Sequence, residues 1–146
     1  MVIPELVFHH VGIGTADFDG AIQTCVSLGH RLHSRTDDPG INVRVAFLSC
    51  PGGRGPWIEI LAPLGPDGPL QSLIRRKLLP SPYHCCYAVD RLEKGDELLR
   101  THRFAPIGVP QPALAFGGAR IAFYYHAALG LVELVESPPD WPIPAA

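Results

Sequence analysis

The order of apolar and polar positions reads as two copies of one string of elements. Residues 8–14 and 83–89 are short apolar-rich runs with the composition of strands. Each leads into an acid suited to cap a helix, Asp17 in the first half and Asp90 in the second. Beyond Asp17, the apolar residues Phe18, Ala21, Ile22, Cys25 and Leu28 recur at helical spacing and predict a helix lying on a sheet. Beyond Asp90, residues 91–101 predict a more polar helix, apolar only at Leu92, Leu98 and Leu99 and weakened by Gly95. A short strand is predicted to start at His30 in one half and at His102 in the other. Arg44 to Leu48 (Arg-Val-Ala-Phe-Leu) then matches Arg120 to Tyr124 (Arg-Ile-Ala-Phe-Tyr). A last apolar strand, at 57–62 and again at 131–135, completes each copy. Gly65 to Pro80 joins the halves, with a helix expected at 69–78.

Each half therefore reads strand–helix–strand–strand–strand, and neither can close a core alone. The expected fold is α+β: two tandem βαβββ modules forming one curved, half-open mixed sheet around a site, helices outside. The whole chain is expected to be a single domain, with module one at about 6–64, a linker helix at about 65–80 and module two at about 81–137. Along a strand, alternate residues face opposite sides. Trp57, Glu59 and Leu61 should share the concave face, while Ile58, Ile60 and Ala62 pack under a helix. Leu131, Glu133 and Val135 should likewise oppose Val132 and Leu134.

Composition narrows the function. The 146 residues are 47% apolar and 18% charged, with a net charge of −2, which makes no electrostatic case for nucleic acid. No stretch is apolar enough over the length of a bilayer span, and the N-terminal stretch lacks a signal-peptide core, so a cytoplasmic location is expected. The four cysteines show no zinc-ribbon or disulfide spacing and read as reduced thiols. Prolines and glycines gather at 51–56, 63–69, 80–82 and 106–112 and mark loops. The proline-rich tail after Glu136 cannot form a regular element; Trp141 there either packs on a surface or frays.

The chemistry lies in a spacing that repeats. His10 precedes Glu59 by the same 49 positions that separate His84 from Glu133. Ionised groups inside apolar strands are costly to bury unless they are paired or bound to metal. Two such pairs on a duplicated scaffold would converge as two imidazoles and two carboxylates, a donor set for a divalent metal such as Co, Ni, Mn, Fe or Zn. Cys86 shares a face with His84 and is expected to line the cavity as small apolar wall. His9 should face away from His10 and serve packing. Arg44 and Arg120 occupy matching strands and could clamp a substrate carboxylate or phosphate. The run Arg75, Arg76 and Lys77 reads as a solvated helix face, or as a partner for the phosphates of a coenzyme A arm.

The chain resembles the vicinal oxygen chelate (glyoxalase/bleomycin-resistance/dioxygenase) superfamily, and within it the methylmalonyl-CoA epimerases. The opening His10-Val-Gly-Ile-Gly, the strand Asn42-Val-Arg-Val-Ala-Phe, the segment Glu59-Ile-Leu-Ala-Pro-Leu-Gly-Pro-Asp-Gly-Pro-Leu and the ending Gly130-Leu-Val-Glu-Leu carry the resemblance. It implies His10, Glu59, His84 and Glu133 as metal ligands. It also implies an epimerase or isomerase that removes a proton α to the carbonyl of an acyl thioester such as methylmalonyl-CoA. Glu133 is the preferred base and Glu59 the alternative, and pairing into a homodimer is expected. Arg44 stands where some epimerases carry a catalytic glutamate, and arginine cannot act as a base near neutral pH. The same ligand set resembles glyoxalase I, which keeps a glutathione-lyase activity open. A non-catalytic antibiotic-binding protein is the alternative from another class.

Overall fold

The computed structural model describes residues 6–136, so the expectation for the tail and Trp141 lies outside the described residues. The elements run β1 (Val7–Gly14), α1 (Phe18–Ser27), β2 (Arg31–Asp38), β3 (Val43–Ser49), β4 (Trp57–Pro63), α2 (Gln71–Arg75), β5 (Ser81–Val89), α3 (Leu92–Thr101), β6 (Ala105–Pro112), β7 (Arg120–His126) and β8 (Gly130–Glu136). The eight strands form one mixed sheet in the order β2-β3-β4-β1-β5-β8-β7-β6. β1 runs parallel to β4 and β5 parallel to β8, while β1 and β5 pair antiparallel and join the two halves. The sheet is open, with β2 and β6 at its edges.

Period-two alternation decides what each face buries. Under α1, Phe18 and Ile22 pack on Ala46, Leu48, Ile60 and Ala62. Under α3, Leu92 and Leu99 pack on Val132, Leu134 and Tyr124. The other face carries a third cluster that includes Val43, Val45, Trp57, Leu61, Ile121 and Val135. Each fully buried aliphatic side chain contributes about 1.5–3 kcal/mol relative to exposure, so these alternating runs fix the register of the central strands.

Local chemistry differs between the halves. Asp17 caps α1, its Oδ1 accepting from the Gly20 amide at 3.0 Å. Asp90 does not cap α3: Arg91 is the N-cap residue, and the Leu92 amide donates instead to Glu136 Oε2 at 2.9 Å. Gly95 packs close to the sheet: a Cβ there would lie 2.6 Å from Leu134 Cδ1 and 3.4 Å from Val89 Cγ1, so a side chain would have to displace Leu134. The stretch His102 to Phe104 is the exit turn of α3, with Arg103 in the left-handed region at φ 68°, and the strand begins at Ala105. The proline-rich stretch 106–112 is part of β6, not a loop. An edge strand tolerates proline because its outer amides need no partner. No helix among the described residues is long and apolar enough to cross a membrane.

Candidate metal centre

The four central strands set the site. In the parallel pair β1 and β4, Gly12 lies opposite Glu59; across the antiparallel pair β1 and β5, Gly12 lies opposite His84 and His10 opposite Cys86. In the parallel pair β5 and β8, Cys86 lies opposite Glu133. His10, His84, Glu59 and Glu133 thus converge at the centre of the sheet, and all four are buried. The two Nε2 atoms of His10 and His84 are 3.0 Å apart. Glu59 Oε1 lies 3.4 Å from His10 Nε2 and 3.2 Å from His84 Nε2. Glu133 Oε1 sits slightly farther off, at 3.5 and 3.8 Å from the same two atoms.

The spacings among His10, Glu59 and His84 fit one small cation, with Glu133 beside them at 3.5 Å from His10 Nε2. Ligand bonds of about 2.0–2.2 Å place neighbouring donors roughly 3–3.5 Å apart around the ion. The buried Oε1 atoms of Glu59 and Glu133 accept no well-formed hydrogen bond, and neither does His84 Nδ1. Buried carboxylate oxygens without a donor are costly. The same atoms aimed at one point are what a divalent cation would satisfy. Without it, two imidazole nitrogens face each other and two carboxylates share their neighbourhood.

The protonation preferences reflect that crowding. Burial raises the proton affinity of Glu59, but the His10 and His84 imidazoles outweigh it and bring its pKa down to about 2. Glu133 goes the other way: burial pushes it above the ordinary carboxylate range, and the charge of Glu59 adds to this against the pull of the histidines. His84 is disfavoured as a cation by burial, yet Glu133 and Glu59 together raise its pKa. The Cys86 thiol, fully buried beside Glu133, is pushed well up by burial and by that neighbouring charge. Two carboxylates in one site separate in this way whenever like charges crowd.

His9 is where alternation fails. A register shift between Phe8 and His10 interrupts the pairing of β1 with β5, and His9 and His10 are both buried on the same side. The Nδ1 atoms of His9 and His10 lie 2.8 Å apart in a hydrogen bond. The His9 ring stacks on Trp57 and meets Phe47 and Phe116 edge-on. If His10 Nδ1 carries the proton and donates to His9, the His10 Nε2 lone pair is free to face the metal position. Partners of this kind on the far nitrogen hold a ligand's tautomer and ring angle. His9→Phe should keep the packing and remove the acceptor. Metal affinity is expected to fall about 10–100-fold, with little change in the urea midpoint; a chelator competition titration reads the first and equilibrium unfolding the second.

Above the four donors the concave face opens into a cavity of about 450 Å³. Glu59 and Glu133 line it, together with apolar walls such as Val45, Leu61, Ile121 and Phe123. Arg44 and Arg120 are not brought to it. Their neighbours Val43, Val45 and Ile121 point inward, so alternation turns the arginines to the opposite face. Arg44 pairs with Asp37 at 3.2 Å and lies over the Phe18 ring, while Arg120 pairs with Glu136 at 2.6 Å and Glu93 at 2.9 Å. Cys86 sits beneath the cavity, in the core. Arg75, Arg76 and Lys77 are exposed at the end of α2. Asp38, which motif reading passed over, lines the cavity and is 3% exposed. Its carboxylate accepts from the Gly40 amide at 3.0 Å and the Leu114 amide at 2.9 Å. The only sequence signal for it is an acid ahead of a Pro-Gly turn.

Residues 9–123 match the family model of the Glyoxalase/Bleomycin resistance protein/Dioxygenase superfamily. The chain is 26% identical over 131 residues to an ethylmalonyl-CoA/methylmalonyl-CoA epimerase of Cereibacter sphaeroides, covering 88% of this chain and 96% of that protein. It superposes on methylmalonyl-CoA epimerase from Mycobacterium tuberculosis with a TM-score of 0.80 at 28% identity, covering 95% of this chain and 94% of the other. A Streptomyces coelicolor methylmalonyl-CoA epimerase, solved in complex with 2-nitronate-propionyl-CoA, matches in fold, with a TM-score of 0.75 at 19% identity over 96% of this chain and 98% of that one.

Proposed function

Because the chain belongs to the glyoxalase/bleomycin resistance protein/dioxygenase superfamily, we propose that it is a metal-dependent epimerase or isomerase acting α to the carbonyl of an acyl thioester. His10, Glu59, His84 and Glu133 would hold the ion. The observation that carries this reading is the convergence of these four buried donors beneath a cavity to which the two glutamates among them, and not the two histidines, are exposed. A divalent ion bound there supplies positive charge that lowers the cost of an enolate at the substrate carbonyl.

The remaining chemistry falls to the chain's own groups. The imidazoles lie below the cavity floor, so the base that meets a substrate Cα–H is one of the two glutamates. Glu133 is the better placed, because it stands farther from both histidines than Glu59 does. In the step, the Cα–H bond breaks, its electron pair passes to the carbonyl and the proton goes to the Glu133 carboxylate. Transfer of that proton from Glu133 back to Cα, once the enolate has turned its other face to the carboxylate, completes an epimerisation. The apolar walls keep bulk water from the carbanion and strengthen the electrostatic terms. Epimerases of this kind among the relatives act on malonyl-type thioesters.

The test joins metal content to proton exchange. Protein purified without chelators is expected to hold about one divalent ion per chain and to wash deuterium from D₂O into the α position of a branched acyl-CoA. Exchange should vanish with chelator and return with added Co²⁺ or Ni²⁺. A protein that takes up no divalent ion from any of the metals named above would end the reading.

A further inference from the structure

Resting on the acyl-thioester reading, we infer that Arg75, Arg76 and Lys77 form a receptor for the phosphates of coenzyme A, so that the thioester is taken as its free coenzyme A derivative. The first ground is that these cations are unpaired. Of the twelve lysines and arginines in the chain, Arg35, Arg44, Lys94, Arg100 and Arg120 are held in ion pairs. Arg75, Arg76 and Lys77 stand three in a row, all exposed, and none pairs with a carboxylate among the described residues. Adjacent like charges repel one another, and a phosphate would relieve that repulsion.

The second ground is the backbone at Lys77. The Lys77 amide donates to the Ile74 carbonyl at 2.9 Å and the Leu78 amide to the Leu73 carbonyl at 2.9 Å. These two bonds close a helix through one residue in the left-handed region, a place where glycine is usual. Here that residue is Lys77, at φ 56°. Glycine takes this conformation without strain, and a lysine does not. A helix dipole favours cations in the last turn, where Arg75 lies. Lys77 lies past the end of α2, so the dipole gives no reason for a lysine there at a cost to the backbone.

Position is the third ground. Leu70, just ahead of α2, lines the cavity together with Pro69 and Tyr83. Leu73 and Leu79 pack on the same apolar cluster as Leu70. Each of the three cations is therefore within three residues of Leu73 or Leu79, at most about 11 Å of fully extended chain. A thioester whose carbonyl faces Glu133 can lead its pantetheine arm out over Leu70 and Tyr83, and the phosphates at the far end of the arm then meet the basic run. Arg44 and Arg120 are committed to ion pairs on the opposite face of the sheet and cannot serve. Two guanidinium forks and one ammonium suit phosphate oxygens.

The experiment varies the arm and keeps the acyl group. Binding of methylmalonyl-CoA, its 3′-dephospho form and methylmalonyl-pantetheine to the Co²⁺-loaded protein is followed by calorimetry at low and high salt, and α-deuterium exchange in D₂O by mass spectrometry. At low salt methylmalonyl-CoA is expected to bind at least tenfold more tightly than methylmalonyl-pantetheine, with the dephospho form between them. The advantage should shrink at high salt, because exposed charges are screened. The triple variant Arg75→Gln, Arg76→Gln, Lys77→Gly should bind methylmalonyl-CoA at least tenfold more weakly and methylmalonyl-pantetheine as the native protein does, with Co²⁺ content preserved. Lys77→Gly alone should lose about threefold in affinity for methylmalonyl-CoA while its urea midpoint stays or rises, a combination that a purely structural lysine would not give. Equal affinity for the three thioesters, or native affinity in the triple variant, would overturn the inference and leave the thioester reading standing. Phosphate-dependent binding without exchange would uphold the inference and overturn the epimerase reading. Binding of none of the three would overturn both.

Discussion

Glu133→Gln is expected to cut thioester α-proton exchange by about 10³-fold, within the range that a positioned general base supplies, while the protein still takes up its divalent ion. The amide keeps an oxygen donor at the same place and volume, so the metal should weaken by only about one order of magnitude from the lost charge. Glu59→Gln provides the contrast. It removes a carboxylate of equal burial from the same cavity floor, but one that sits within 3.4 Å of both imidazoles. That residue should act as a ligand first. Its variant is expected to lose less than tenfold in exchange rate. The pair is read by deuterium incorporation on a common acyl-CoA, with bound metal quantified in each sample. Full turnover in metal-loaded Glu133→Gln would remove that residue as the base, and a large loss confined to Glu59→Gln would transfer the role.

How much of this was legible in the sequence depends on whether a residue obeys strand alternation. Glu59 and Glu133 do, and the structure turns them to the cavity while Ile60 and Leu134 go beneath the helices. Arg44 and Arg120 obey it as well. The rule that puts Val45 and Ile121 inside puts the arginines outside, so the matching of the two strands was a sign of duplication and not of a clamp. His9 was hidden for the opposite reason. A shift in the β1–β5 register is invisible in a run of apolar residues, and it places two consecutive histidines on one side. The cap of α3 was illegible because its acceptor, Glu136, comes from a strand 44 residues away. The prolines of 106–112 signalled a break that an edge strand does not require. Local pattern specified the elements and the faces on which Glu59 and Glu133 lie; pairings between distant segments supplied the rest.

The glycines of the opening His-Val-Gly-Ile-Gly motif separate a requirement of the site from a requirement of the fold. Gly12 lies beneath the His84 ring: a Cβ there would come within 2.5 Å of Cε1, 2.7 Å of Nε2 and 2.8 Å of Nδ1. No side chain tolerates such contacts, and the ring cannot evade them without moving its Nε2 away from His10 Nε2, now 3.0 Å distant. Metal-ligand distances hold within about 0.2 Å, so a displaced ring is a lost ligand. Gly12→Ala is therefore expected to weaken Co²⁺ at least 100-fold, approaching the loss in His84→Ala. Gly14 is the internal control, since a Cβ there meets Leu79 Cδ2 at 3.0 Å and Leu70 Cδ2 at 3.4 Å, the ends of aliphatic side chains that can yield. Gly14→Ala should bind Co²⁺ within about threefold of the native protein. Overpacking costs about 1–3 kcal/mol, so both variants should remain folded and differ little in urea midpoint. The Co²⁺ absorption spectrum during titration reads the difference directly. Native-like Co²⁺ binding by Gly12→Ala would mean that His84 does not ligate from this position, and the centre would have to be rebuilt on His10, Cys86 and Glu133, whose donor atoms also lie within 4.8 Å of one another.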